Sequence, residues 1–275
     1  MRPTRTPAGS GTMYPALPAR LRADIRAYLD AAPAAPRRAS GVLVPHGPFA
    51  AAGPVLGAGF GAVTVPDVCI IIGPNHTTRA RAPEGGSLLA AAAYRTPLGD
   101  VAPDESLAAD LLARSGGLLA EDPVAHDEEV AIEVALPFLQ VRQPDVRVVP
   151  ILLAWHDWPP VQRLARAIAD AVAGRDDVLL VASSDINHYE SEGVTADKAA
   201  LALDRIVATD PEGLLRVTAE HGISMCGRAA VACALEVARL QGKHVGEVVG
   251  YAHSGVTTGS TDEVTGYAAA LIGLA

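Results

Sequence analysis

Three apolar runs of this chain end in residues that can bind a metal or move a proton. "GVLVP" runs into His46, "DVCIIIGPN" into His76, and "DVLLVASS" into Asp185 and His188. A fourth reactive group, Cys226, opens the helical pattern "CGRAAVACALEVARLQG". Two imidazoles and a thiol would make a mixed nitrogen and sulfur site, which suits iron, copper or zinc better than magnesium or calcium. A thiol just before a helix meets unpaired backbone N–H groups and the positive end of the dipole, and both favour thiolate. Asp185 and His188 would then supply acid–base chemistry or orient an imidazole.

Each of these residues also has a plainer use. Ser183, Ser184 and Asn187 make good turns, because their side chains bond nearby backbone groups. A single histidine after a strand is more often a cap or a hydrogen-bonded core residue than a ligand. Recurrence is what lifts the group above its members. In a parallel sheet the carboxyl ends of the strands face one crevice, so residues that follow separate strands converge there. A Ser-His-Asp hydrolase built on Ser183 or Ser184 is disfavoured, because the chain has no G-x-S-x-G elbow and one short loop cannot align all three groups.

The elements needed to position these groups are readable from periodicity. Strand-like runs lie at 41–45, 67–73, 146–154, 177–183 and 265–273. Helical patterns lie between them, among them "LPARLRADIRAYLDAA", "DESLAADLLARSG", "EVAIEVALPFLQV", "VQRLARAIADAVAG" and "ADKAALALDRIVA". The alternation predicts one α/β domain over 15–275, with a mostly parallel central sheet covered by helices on both faces. Residues 1–14 are expected to be mobile or draped over the surface. The uncharged window 47–66 has the length of a membrane span, but its prolines and glycines favour a loop followed by a closely packed helix.

Composition bounds the function. Of 275 residues, 49% are hydrophobic, enough for a substantial core. A net charge of -9 argues against nucleic acid, which requires a clustered basic face, and favours a small-molecule substrate. Three cysteines are too few for a disulfide framework, so a reducing, cytoplasmic setting is expected. Cys69 and Cys233 read as packing residues.

At these same residues the chain resembles the Memo family, which includes bacterial proteins called AmmeMemoRadiSam system protein B. The matching pieces are "GTMYPALPARLRADI", "VPHGPFAAAGPV", "IIGPNHT", "YRTPLGDV", "EVAIEVALPFLQ", "SSDINHY", "MCGR" and "DEVTGYAAALI", in order along nearly the whole chain. The resemblance implies a fold similar to class III extradiol dioxygenases, which cleave aromatic diols with non-haem iron. It matches His46, His76 and Cys226 to a metal site, and Asp185 and His188 to its acidic and imidazole neighbours. Two positions depart from the family pattern. Phe49 stands where a tyrosine is usual, and Val130 stands where a histidine is usual. Both would make the pocket more apolar. His126 could cover the missing nitrogen only if a helix ran back through "HDEE", and it reads better as a loop histidine. Glu133 is expected one turn along, as an acceptor beside the site.

Together these readings predict a metal-dependent redox enzyme. Fe(II) is the preferred metal and copper or zinc the alternatives, with O2 and a small organic substrate as reactants. A non-catalytic metal carrier or peptide-binding protein is the competing class.

Overall fold

The five apolar runs read as strands are strands. The computed structural model describes residues 3–32, 35–77 and 85–274. It opens with β1 (Thr4–Arg5), α1 (Pro18–Asp30), β2 (Ala39–Val44), α2 (Phe49–Ala62) and β3 (Val68–Pro74). Short strands β4 (Gly86–Leu88), β5 (Ala93–Thr96) and β6 (Gly99–Pro103) follow, then α3 (Glu105–Arg114) and β7 (Leu119–Glu121). Three brief helices, α4 (Pro123–His126), α5 (Val130–Glu133) and α6 (Leu136–Arg142), lead into β8 (Arg147–Leu153), α7 (Trp158–Ala171) and β9 (Val178–Ser183). The remainder is β10 (Asn187–Glu190), α8 (Glu192–Val207), α9 (Pro211–Glu220), α10 (Arg228–Leu240), β11 (Val245–His253), α11 (Gly255–Thr258) and β12 (Val264–Leu274).

The sheet runs β1-β5-β6-β8-β3-β9-β2-β12-β10, with β11 on β12 and β4 between β7 and β8. Its centre is parallel: β3 pairs β8 on one side and β9 on the other, and β9 pairs β2. Antiparallel β12 closes one flank. Side-chain alternation along β3 explains why helices cover both faces. Val68, Ile70 and Ile72 enter a core with Leu107, Leu164, Ile168, Leu214 and Val231 from α3, α7, α9 and α10. Cys69 and Ile71 enter a second core with Ile25, Leu56 and Phe138 from α1, α2 and α6. Each fully buried aliphatic side chain stabilises the fold by roughly 1.5–3 kcal/mol, so a strand loaded on both faces anchors the domain. Cys69 and Cys233 are fully buried in these cores.

Two expectations about elements need correction, and a third is met. The segment 129–141 is not one helix, because Pro137 in the first turn of α6 has no N–H to continue the ladder from α5. As expected, the uncharged window gives a short loop and then the 14-residue α2, packed so closely on α1 that a Cβ at Gly57 would lie 2.5 Å from the Tyr28 carbonyl. No helix among the described residues is long and apolar enough to cross a membrane. The N-terminal segment is docked into the fold: β1 pairs β5, and Arg5 and Tyr14 are 5% and 3% exposed.

Candidate metal centre

The parallel register puts the ends of β2, β3 and β9 at one edge of the sheet, and the residues that follow converge there. One ligand atom from each of His46, His76 and Cys226 lies within 4.8 Å of the other two. The His46 and His76 rings meet edge to face at 5.2 Å, and Cys226 Sγ sits 3.3 Å from His46 Nε2. In a tetrahedral site with metal–nitrogen and metal–sulfur bonds of about 2.0 and 2.3 Å, adjacent donors are about 3.5 Å apart. The Cys226–His46 pair has that spacing, and the three donor types suit one ion that draws them together.

Neighbouring groups decide which ring nitrogens face that point. The Ser183 hydroxyl donates to the Ala131 carbonyl at 2.6 Å, so its lone pair accepts Nδ1–H of His46 at 2.8 Å. That leaves Nε2 of His46 bare toward Cys226. Glu129 does the same for His76: one oxygen accepts the His76 amide at 2.6 Å and the other faces Nδ1 at 3.0 Å. A carboxylate on the far nitrogen fixes the tautomer and raises ligand basicity. Glycine is required twice nearby. A Cβ at Gly47 would strike the Tyr267 ring at 2.5 Å, and one at Gly227 would lie 2.2 Å from the Ser183 carbonyl. Both loops are thus drawn tight around the ligands.

Asp185 and His188 stand beside this set. Asp185 Oδ1 accepts the His46 amide at 2.9 Å, and its other oxygen lies 3.8 Å from His188 Nε2, an ion-pair separation longer than a hydrogen bond. His188 donates Nδ1–H to the Ser224 carbonyl at 2.8 Å, so Nε2 is its proton-exchanging atom. A bulge aims the ring: β10 carries one more residue than β12 between Asn187 and Glu190, and Tyr189 takes a left-handed φ of 61°.

The electrostatics follow from burial and pairing. Burial lowers the pKa of His46. The bond to Glu129 raises that of His76, and the Asp185 carboxylate raises that of His188. Burial works against charge on Asp185, yet the imidazoles of His46 and His188 and the His46 amide hold it below the usual range. The expectation of a thiolate primed by a helix N-terminus is not met. Burial, and then the charge of Asp185, push the Cys226 thiol up to about 12, despite the Asp185 N–H donated to Sγ at 3.3 Å. A cation among the three donors is what would favour deprotonation.

A serine nucleophile stays disfavoured, while the readings of His126, Glu133 and Phe49 change. Ser183 and Ser184 are buried and engaged in hydrogen bonds, Ser184 with Asp185 O and Gly227 N, and neither is an exposed nucleophile. His126 is neither a loop residue nor a site residue. It ends α4, fully buried, with Nδ1 on the Tyr94 hydroxyl at 2.7 Å. Glu133 turns away from the ligands to accept from Arg5, Tyr14 and the amides of Ala8 and Gly9. Phe49 is 3% exposed, with its ring among Tyr14, Tyr28 and Phe138, so it fills core beneath the His46 loop. Val130 is half-buried and packs on the same core. Glu129 is the functional residue that sequence reasoning missed. Its only local signal was a carboxylate at a helix start, and it also caps α5 through the Ala131 amide at 2.9 Å.

A cavity of about 650 Å³ lies elsewhere, at the amino ends of β2 and β9, lined in part by Arg38, Arg166, Arg175 and Lys243. Arg38 and Arg175 already pair with Asp176 and Asp177, and the described lining holds no histidine or cysteine. Size alone does not make it the site of chemistry.

Comparisons with known proteins agree with the family resemblance. A family profile described as Memo-like protein matches residues 5–271. A MEMO1 family protein of Caldivirga maquilingensis is 38% identical over 232 residues, covering 82% of this chain and 80% of its own. One from Methanopyrus kandleri is 33% identical over 279 residues, covering 96% and 97%. Among solved structures, an uncharacterised protein of Escherichia coli aligns over 85% of this chain and 100% of its own, with a TM-score of 0.48 and 13% identity. With the profile spanning 5–271 and the Methanopyrus relative matched from end to end, the chain belongs to the Memo family.

Proposed function

We propose that this protein is a metal-dependent redox enzyme whose His46, His76 and Cys226 hold one ion, Fe(II) in preference to copper or zinc, beside a crevice for a small organic substrate. The observation that carries the reading is the convergence of those three donors within 4.8 Å, with an Asp185–His188 pair at their side. Two imidazoles and one thiolate leave an ion with open positions, and such an ion supplies Lewis acidity and electron transfer, including toward O2. The remaining steps belong to the protein. Ser183 and Glu129 hold the Nε2 atoms of His46 and His76 toward the common point. His188 exchanges a proton with substrate through Nε2, and Asp185 stabilises the imidazolium.

The test is metal analysis of protein prepared without air or chelator, beside His46→Ala, His76→Ala and Cys226→Ser. Stoichiometric iron or copper that all three variants lose supports the site. Absence of binding after anaerobic reconstitution with Fe(II), Cu(I) and Zn(II) overturns it. The second reading, a metal carrier without turnover, draws on Cys226, since thiolate ligation suits Cu(I). An oxygenase stops when O2 is removed, a zinc hydrolase does not, and a carrier turns over in neither case.

A further inference from the structure

The N-terminal segment is tied to the end of the His46 loop directly and to His76 through Glu129. Arg5 is buried beneath α4 and α5, and each of its three guanidinium nitrogens is engaged. Nε donates to the His126 carbonyl at 2.8 Å, Nη1 pairs with Glu133, and Nη2 donates to the Glu129 carbonyl at 2.8 Å. The guanidinium also stacks over the Tyr94 ring at 5.0 Å. Further along, the Ala8 and Gly9 amides and the Tyr14 hydroxyl converge on Glu133. At the far end the Met13 carbonyl accepts the Phe49 amide at 2.8 Å, three residues beyond His46.

An ion pair with both partners 3% exposed or less is a poor device for stability alone, because desolvation offsets most of its attraction and an apolar pair of similar volume does as well. What an apolar pair lacks is direction. A planar fork fixes three acceptors at once, and one of them is the main chain of the residue whose carboxylate grips His76. Fixing the Glu129 backbone while its side chain meets His76 sets the depth of that imidazole in the crevice.

We propose that residues 4–14 are a strap that sets the geometry of the metal site, with Arg5 as a positioning residue that acts on His76 through Glu129. The relevance to metal rests on His76 being a ligand, as argued above; the mechanical link does not.

The experiment compares full-length wild type with Arg5→Met and with Arg5→Lys, which keeps the charge facing Glu133 but loses the fork. Amide exchange in metal-free protein is the first readout. The His76 amide, bonded to the Glu129 carboxylate, is compared with the Asp185 amide, bonded to Cys226 Sγ instead. Arg5→Met should speed exchange at His76 by about tenfold or more and leave Asp185 unchanged, with Arg5→Lys in between. The second readout is Co(II) affinity, followed by its thiolate charge-transfer band, which should weaken about 10- to 100-fold in Arg5→Met. Equal acceleration at both amides, or none at His76, overturns the strap and reduces Arg5 to a general stabiliser. If wild type binds no Co(II), the metal reading fails, and the exchange comparison still decides the strap. If Arg5→Met does not fold, Arg5→Lys alone carries both readouts.

Discussion

Two polar clusters flank the α5 turn, built from similar residues with opposite outcomes. On the crevice side, His46 and His76 each engage Nδ1 inside the protein and present Nε2 toward Cys226. On the strap side, Glu133 is saturated by Arg5, Tyr14 and two backbone amides, and His126 is hydrogen-bonded to Tyr94. His126 does leave Nε2 without a partner, yet it is sealed at 0% exposure and belongs to no group of three ligand atoms among the described residues. Histidine and carboxylate are common to both. Chemistry resides where the fold aims several donor atoms at one reachable point, and structure resides where the carboxylate is saturated and the one bare nitrogen, His126 Nε2, is sealed in the core.

The contrast can be broken most sharply at the ligands. Removing Cys226, as Cys226→Ser, is expected to weaken metal binding by more than about 100-fold, beyond what loss of an outer partner does. Metal-free stability should stay within about 1 kcal/mol of wild type in urea melts. A large loss of stability with metal retained would reverse the assignment of the two clusters.

On the strap side the expectation is the opposite. Glu133→Gln leaves the Arg5 guanidinium buried without its counter-charge, which costs about 3–5 kcal/mol of unfolding free energy. At saturating metal the stoichiometry should not change, because Glu133 touches no ligand. Loss of stoichiometric metal in a folded Glu133→Gln protein would place Glu133 in the site after all.

Acid separates the clusters more finely. Burial lowers the pKa of His126 from 6.5 to about 4, so the unfolded chain takes up a proton in a range where the native chain does not. Stability contributed by neutral His126 is therefore complete above about pH 6.5 and is lost as pH falls toward 4. A gap of that size is worth about 3 kcal/mol. His126→Asn keeps an acceptor near Tyr94 but cannot titrate. Its stability should be lower at neutral pH and flatter across that window in denaturant melts. An unchanged slope would assign the acid sensitivity to other groups.

The crevice side was far more legible in the sequence than the strap side, for a physical reason. A buried parallel strand writes itself as an unbroken apolar run, as in "DVCIIIG", and its carboxyl end is marked where polar residues begin. His46, His76, Asp185 and His188 each sit at such a mark, and the rule that strand ends share one edge brings them together. Nothing local marks Arg5. "TRTPAG" has the composition of a mobile tail, and its partners lie 121 to 128 residues away. Glu129 was hidden differently, since a carboxylate that caps a helix and one that orients a ligand look alike in sequence. The break between α5 and α6 was announced by Pro137 and passed over because the apolar periodicity ran through it.

The smallest expected effect tests the residue that lies between the clusters. Val130 follows Glu129 directly, at the position that the family resemblance matches to a histidine. It is half-buried against the aromatic core, so Val130→His should cost no more than about 1–2 kcal/mol. An imidazole at the first position of α5 sits one residue from the carboxylate that holds His76. If it reaches the crevice, it adds one donor to a set of three, and Co(II) affinity should rise by a factor below about ten. The competing outcome is a ring that follows the valine into the core, with affinity unchanged. Unchanged affinity would show that the departure belongs to packing and that Glu129 alone joins the closed cluster to the open one. A rise would show that this chain keeps the backbone of a richer site and has filled one of its positions with an apolar side chain.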